Sequence, residues 1–211
     1  MGIDWTRGVM MVQTDKVFVT AYVGIDLRSA STVLAVTNQD GTLIRTDTMW
    51  ECMCWLARRN PLRIVSFFIW WAGGRAHLKQ QLASRAQLDV TALPYHRELI
   101  DWLKEEKKTG RTLVLVTAAD QRMGEKVAAH VPLFDEVIGS NGRDNLRGHT
   151  KRRHLTERFG KGGYDYAGNS SVDLEVWPDV RAAIVVNARP SVVQRAKQMT
   201  QVDRVFGPPG D

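Results

Sequence analysis

The stretch VLAVTNQDGTL, residues 33–43, decides the reading of the fold. Val33 to Thr37 is a short apolar run, and it stops in the polar, glycine-containing loop Asn38-Gln39-Asp40-Gly41-Thr42. That pattern predicts a buried strand that delivers a polar loop at its carboxyl end. Outward from it, Thr112 to Val116 (TLVLV) is a second such run, Asp135 to Ile138 a third, Tyr164 to Ala167 a fourth and Ala182 to Val186 (AAIVV) a fifth. An Asp120-capped helix to about His130, a basic helix over Thr150 to Phe159 closed by Gly160, and one further helix after the fifth strand alternate with them. Strands and helices alternating in units of this length predict a Rossmann-like α/β fold, a parallel sheet flanked by helices.

Between the first two strands the pattern is helical. Thr46 or Asp47 can cap a helix through Arg58 that Asn60-Pro61 ends. Pro61 then opens a second helix closed by Gly73-Gly74, Arg75 to Arg85 forms a third, and Pro94 to Lys108 a fourth. The expected division is therefore an N-terminal extension over 1–32, a core over 33–45 and 108–206, an inserted helical cap over 46–107, and a tail over 207–211. Within the extension, Lys16 to Leu27 is rich enough in β-branched and aromatic residues to form a strand.

Composition bounds the function. The 211 residues suffice for one domain with an inserted lid, and 44% hydrophobic with 25% charged residues excludes disordered and fibrous classes. The two cysteines, Cys52 and Cys54, are too close for an unstrained bridge and sit about 200° apart on a helix, so they read as packing residues. Met1 to Gly8 is polar and charged, and the longest apolar stretch, Ile64 to Ala72, falls far short of the roughly 20 residues that span a bilayer. A cytoplasmic protein is expected. The net charge of +6 suits an anionic partner. The basic residues are dispersed, without an aromatic-rich stripe or zinc-finger spacing, so no nucleic acid is expected. His77, His96, His130, His149 and His154 show no ligand spacing.

Ligands of parallel α/β sheets bind at the carboxyl ends of the strands. There lie Asn38 and Asp40, then Thr117 with Ala118, then Lys151 at the start of the basic helix, and then Gly168-Asn169-Ser170-Ser171-Val172-Asp173. Singly, each is an ordinary turn or cap. In this order, NQDGTL, LVLVTAA, Lys151 and GNSSVD resemble the four motifs of the haloacid dehalogenase superfamily of phosphatases and phosphotransferases, over about residues 33–187. TLIRTD at 42–47, LKQQL at 78–82, LPY at 93–95 and YAGNS at 166–170 further resemble one branch, the phosphatase-like domain fused to UbiA-type polyprenyl transferases.

The resemblance implies Mg2+-dependent hydrolysis of a phosphate monoester through an aspartyl-phosphate. It casts position 38 as the nucleophile and Asp40 as general acid and base. Gly41, Thr42, Thr117 and Ala118 then bind the phosphoryl group, and Lys151 neutralises its charge. Positions 38, 40, 169 and 173 form the Mg2+ site. The departure is Asn38: a carboxamide is a poor nucleophile and removes one anionic metal ligand, as does Asn169. Little turnover and weak Mg2+ binding are expected. Two accounts of Asn38 stay open, an aspartate exchanged to trap substrate and a catalytically silent phosphate-binding module attached to a prenyl transferase. Asp40-Gly41-Thr42-Leu43 argues against a third, a misplaced register.

Four of the seven tryptophans fall between Trp50 and Trp71. With Phe67 and Phe68 they form either a small helical core or an exposed surface for a membrane interface, a prenyl chain or a partner domain. Arg58, Arg59, Arg63 and Arg75 flank them, as suits phosphate head groups. The expected partner is a small phosphorylated substrate, lipid-linked under the second reading, with the cap touching the inner face of the membrane.

Overall fold

A computed structural model describes residues 10–14, 17–21, 33–37, 40–141 and 145–207. The chain divides into two compact units, Met1–Ala30 and Ser31–Asp211. In the first, β1 (Met10–Thr14) pairs antiparallel with β2 (Val17–Ala21), Met10 opposite Ala21 and Thr14 opposite Val17. β2 falls inside the strand expected from composition, whereas β1 had no such signal.

The second unit is built on six parallel strands: β3 (Val33–Thr37), β4 (Thr112–Asp120), β5 (Glu136–Ser140), β6 (Tyr164–Gly168), β7 (Ala183–Val186) and β8 (Val202–Phe206). Their order is β5-β4-β3-β6-β7-β8, with β3 at the centre, Val33 opposite both Thr112 and Tyr164. Four helices lie between β3 and β4: α1 (Thr48–Arg59), α2 (Ile64–Ala72), α3 (Arg75–Arg85) and α4 (Arg97–Lys108). They are followed by α5 (Gln121–His130), α6 (His149–Phe159) and α7 (Pro190–Met199).

Apolar runs appear without polar alternation because both faces of the sheet are covered. Side chains alternate between faces along each strand. Val114, Val116, Tyr164, Tyr166, Ala183 and Val185 join Leu155 and Trp177 in one core. Leu113, Leu115, Ala167, Ile184 and Val186 join Leu99, Leu103 and Val127 in the other. The helix caps are those the sequence offers. Asp47 accepts from Met49 N and Trp50 N at the start of α1, and Asp120 accepts from Arg122 N at the start of α5.

Two corrections to the sequence expectations concern strands. β4 runs on through Thr117, Ala118 and Ala119 to Asp120, and its register against β5 shifts between Val116 and Asp120. Such irregularities re-aim the backbone at functional rims. The sheet also has a sixth member, β8, whose middle residues Asp203, Arg204 and Val205 are exposed. Its polarity is that of a sheet edge, where charge discourages further pairing, and so it lacks the signature of a buried strand.

Cys52, Leu56, Phe67, Leu78 and Leu82 of α1–α3 form a third core with Ala119 and Met123. The aromatic residues divide along α2. Phe67 is buried, while Val65, Phe68, Ile69 and Trp71 are about 61–66% exposed. Below the sheet, at the amino ends of its strands, Asp165 of β6 is buried and pairs with both Arg111 and Arg181.

Candidate functional site

The carboxyl ends of β3, β4 and β6 meet α3 and α6 around a cleft of about 250 Å3 lined by Asp40, Lys79, Arg147, Lys151, Asn169 and Asp173, among others. Asp40 follows β3. Its Oδ1 accepts a hydrogen bond from Thr48 N at the first residue of α1, 2.8 Å away, which ties the loop to the inserted helices. Burial, assisted by Asp47, raises its carboxyl from 3.8 to about 6 against the lowering effect of the Thr48 hydrogen bond and Lys79.

Gly41 follows with φ +82°, and a side chain there would strike Asn169. Thr42 is buried, and its hydroxyl donates to Asn169 Oδ1 at 3.3 Å. Thr117 is buried too. Its Oγ1 accepts from Ala119 N at 3.0 Å, turning the strand end on itself, while Ala118 is the residue of β4 that lines the cleft. Asn38 lies outside the described residues.

Asp173 is held by four hydrogen bonds. Tyr166 OH donates to its Oδ1 at 2.8 Å, while Asn169 N, Ser170 N and Ser170 OH donate to its Oδ2 at 2.9–3.0 Å. Gly168 makes this approach possible, because a Cβ there would stand 2.7 Å from Asp173 Cγ. Lys151 projects from the first turn of α6, 2% exposed, with Nζ 3.5 Å from the Val116 carbonyl oxygen and 5.8 Å from the Tyr166 ring centre. Burial pushes its ammonium down to about 8, opposed by Asp173 and Asp40 and assisted by Lys79.

Two cations of this cleft were not singled out in the sequence. Lys79 of α3 donates to the Ala118 carbonyl at 2.6 Å and to Asn145 Oδ1 at 3.4 Å. Arg147 lies just before α6. Lys79 falls within the LKQQL stretch noted for its resemblance, but its target lies 39 residues away, so no local pattern announces its place in the cleft. A second recess of about 20 Å3 continues from Asp40 and Lys79 toward Cys52, Leu82 and Met123, giving the cleft an apolar end.

A divalent magnesium ion prefers a near-octahedral oxygen shell. Asp173 Oδ2 already takes three donors, Asn169 Oδ1 takes one from Thr42 and Asp40 Oδ1 takes one from Thr48. Among the described residues no three His, Cys, Asp or Glu side chains cluster for a metal. Among the described residues, which do not include position 38, these donor oxygens are already engaged within the protein and do not offer that shell.

No family model matches the chain. The uncharacterized protein y4nM of Sinorhizobium fredii is 35% identical over 147 residues, 70% of this chain but 28% of that protein, so the chain spans less than a third of the relative's length. Among solved structures, a Bordetella pertussis Tohama I protein of unknown function superposes with a TM-score of 0.61 at 15% identity, covering 81% of this chain and 98% of that one. Phosphoserine phosphatase in its apo form gives 0.57 at 14% identity, covering 83% and 93%. The haloacid dehalogenase family hydrolase t0658 of Salmonella enterica serovar Typhi gives 0.53 at 14%, covering 78% and 65%. At these identities the likeness is one of fold: the chain has the parallel α/β architecture of haloacid dehalogenase-type phosphatases, with additional helices.

Proposed function

We propose that this chain is a phosphate-monoester recognition domain of the haloacid dehalogenase type. The observation that carries the reading is the buried Lys151 ammonium on the wall of the cleft, beside the carboxyl ends of the strands. An ammonium held at a cleft wall puts positive charge where an entering anion meets it, and the low polarity of a buried site strengthens that attraction. In this reading Lys151 neutralises the phosphoryl charge, Ala118 and the Thr117 turn form the floor of the site, and Gly41 and Thr42 shape its rim.

Asp40, with its carboxyl raised to about 6, can hold or release a proton near neutral pH, as a general acid and base must. The nucleophile position carries the Asn38 carboxamide, which does not form an acyl phosphate, so the chain binds without turnover. The test is Asn38→Asp, which adds an anionic metal ligand together with the nucleophile and is expected to gain Mg2+-dependent hydrolysis of an aryl phosphate, lost again when Asp40→Asn is added. The unaltered chain should show a rise in Tm with inorganic phosphate or vanadate. No gain and no rise would overturn the reading.

The outer face of α2 favours a lipid-linked ester presented at an anionic membrane surface. α2 contains no charged residue, and Phe68 and Trp71 stand exposed on it, while Arg58 and Arg59 at the end of the preceding helix α1 are exposed as well. Aromatic rings with flanking cations suit the head-group region. No described helix is long and apolar enough to cross a membrane. Sedimentation with phosphatidylglycerol vesicles should carry the protein down, and Phe68→Ser with Trp71→Ser should abolish this; absence of binding removes the membrane from the proposal. The matched segment of y4nM lies within a much longer protein, which suits a module joined to a larger protein; that the larger protein is a UbiA-type prenyl transferase rests on the sequence resemblance alone.

A further inference from the structure

The two lysines of the cleft both end at carbonyl oxygens of β4, Lys151 at Val116 and Lys79 at Ala118. These carbonyls are two residues apart, roughly 7 Å along an extended strand. One lysine comes from α6 and the other from α3 of the inserted helices, and each lines the same cleft. They act on each other electrostatically, Lys79 making the proton on Lys151 easier to remove. Asp173 and Asp40 oppose that effect on Lys151, and Asp47 lines the same cleft; an anion seated between the two ammonium groups would offset their mutual repulsion directly.

The haloacid dehalogenase resemblance assigns the charge opposite the phosphoryl group to a divalent cation. The donors that would hold one here are engaged elsewhere, as Asp173 is with Tyr166, Asn169 and Ser170, and the nucleophile position is uncharged. A second cation nevertheless reaches the cleft, and it is a side chain. We infer that the cleft binds a phosphate-monoester dianion without a divalent cation, clamped between Lys79 of the inserted helices and Lys151 of the sheet domain. This rests on the phosphate reading and deepens it by naming what supplies the second positive charge.

Two features support the clamp. Lys79 is anchored at both Ala118 and Asn145, so its ammonium is positioned before ligand arrives rather than sampling solvent. Asn169 N and Ser170 N are turned to Asp173, which leaves the lysines and Arg147 as the cationic groups of the described lining.

The experiment is calorimetric titration of the unaltered chain with inorganic phosphate, first in EDTA and then with excess Mg2+. The clamp predicts equal affinity, within about threefold, in both. It also predicts that Lys79→Met weakens phosphate at least tenfold in EDTA while Lys79→Arg keeps it within about threefold. Binding only with Mg2+ overturns the clamp and leaves the phosphate reading standing. Unchanged affinity in Lys79→Met does the same. Absence of binding under both conditions overturns the phosphate reading itself. Should Lys79→Met not fold, the EDTA and Mg2+ comparison on the unaltered chain still decides.

Discussion

Gly41 and Asn169 are packed so closely that no side chain fits between them: a Cβ on Gly41 would stand 2.2 Å from Asn169 Nδ2 and 2.9 Å from its Cγ. Gly41 also holds φ +82°, in the left-handed region that L side chains avoid. This contact joins the loop after β3 to the loop after β6, and with the Thr42 hydrogen bond it sets the rim of the cleft.

Gly41→Ala is therefore expected to lose about 1–2 kcal/mol from the backbone conformation alone, and more from displacing Asn169. Urea denaturation measures the stability. Phosphate titration of the folded fraction should show weakened binding, because the residue that must move lines the cleft.

Asp40 supplies a pH test with a definite sign. Its carboxyl is raised from 3.8 to about 6, so the folded chain holds the proton more tightly than the unfolded chain. Ionisation then costs stability, a penalty that is absent below pH 3.8, grows as pH rises toward 6 and is complete above it. The shift corresponds to at most about 3 kcal/mol. Asp40→Asn keeps an oxygen for Thr48 N and removes the charge. It should raise Tm at pH 8 and leave it nearly unchanged at pH 4; equal stabilisation at both would show that the charge is not the cause.

Asp165 is a structural carboxylate at the opposite end of the strands. It is 1% exposed and pairs with Arg111, itself 8% exposed, and with Arg181. Removing one member of a buried ion network leaves the others unpaired, so Asp165→Ala should cost roughly 3–5 kcal/mol. Under conditions where that variant is folded, phosphate affinity should match the unaltered chain, since the cleft lies across the sheet from the substitution.

Much of the fold was readable because its determinants are local. Thr112 to Val116 and Ala182 to Val186 are apolar throughout because helices cover both faces of the sheet, and Asp47, Asp120 and Gly160 cap helices through neighbours a few residues away. β8 escaped because an edge strand needs no apolar run, and the extension of β4 escaped because Thr117-Ala118-Ala119 has no strong strand preference of its own. Pairing with β5 carries that extension, and pairing is a tertiary property.

The candidate site divides in the same way. By itself the sequence determined the residue types and their order, Asp40, Gly41, Thr117, Lys151, Asn169 and Asp173 at or just beyond the strand ends, together with the carboxamide at position 38. Side-chain chemistry and strand alternation are properties of the local chain. Tertiary structure alone decided that Thr42 reaches Asn169, 127 residues away, and that Lys79 enters from α3 to meet Ala118, 39 residues away. Those contacts are set by how the inserted helices and the loops come together over the sheet, and no periodicity in the sequence encodes that approach.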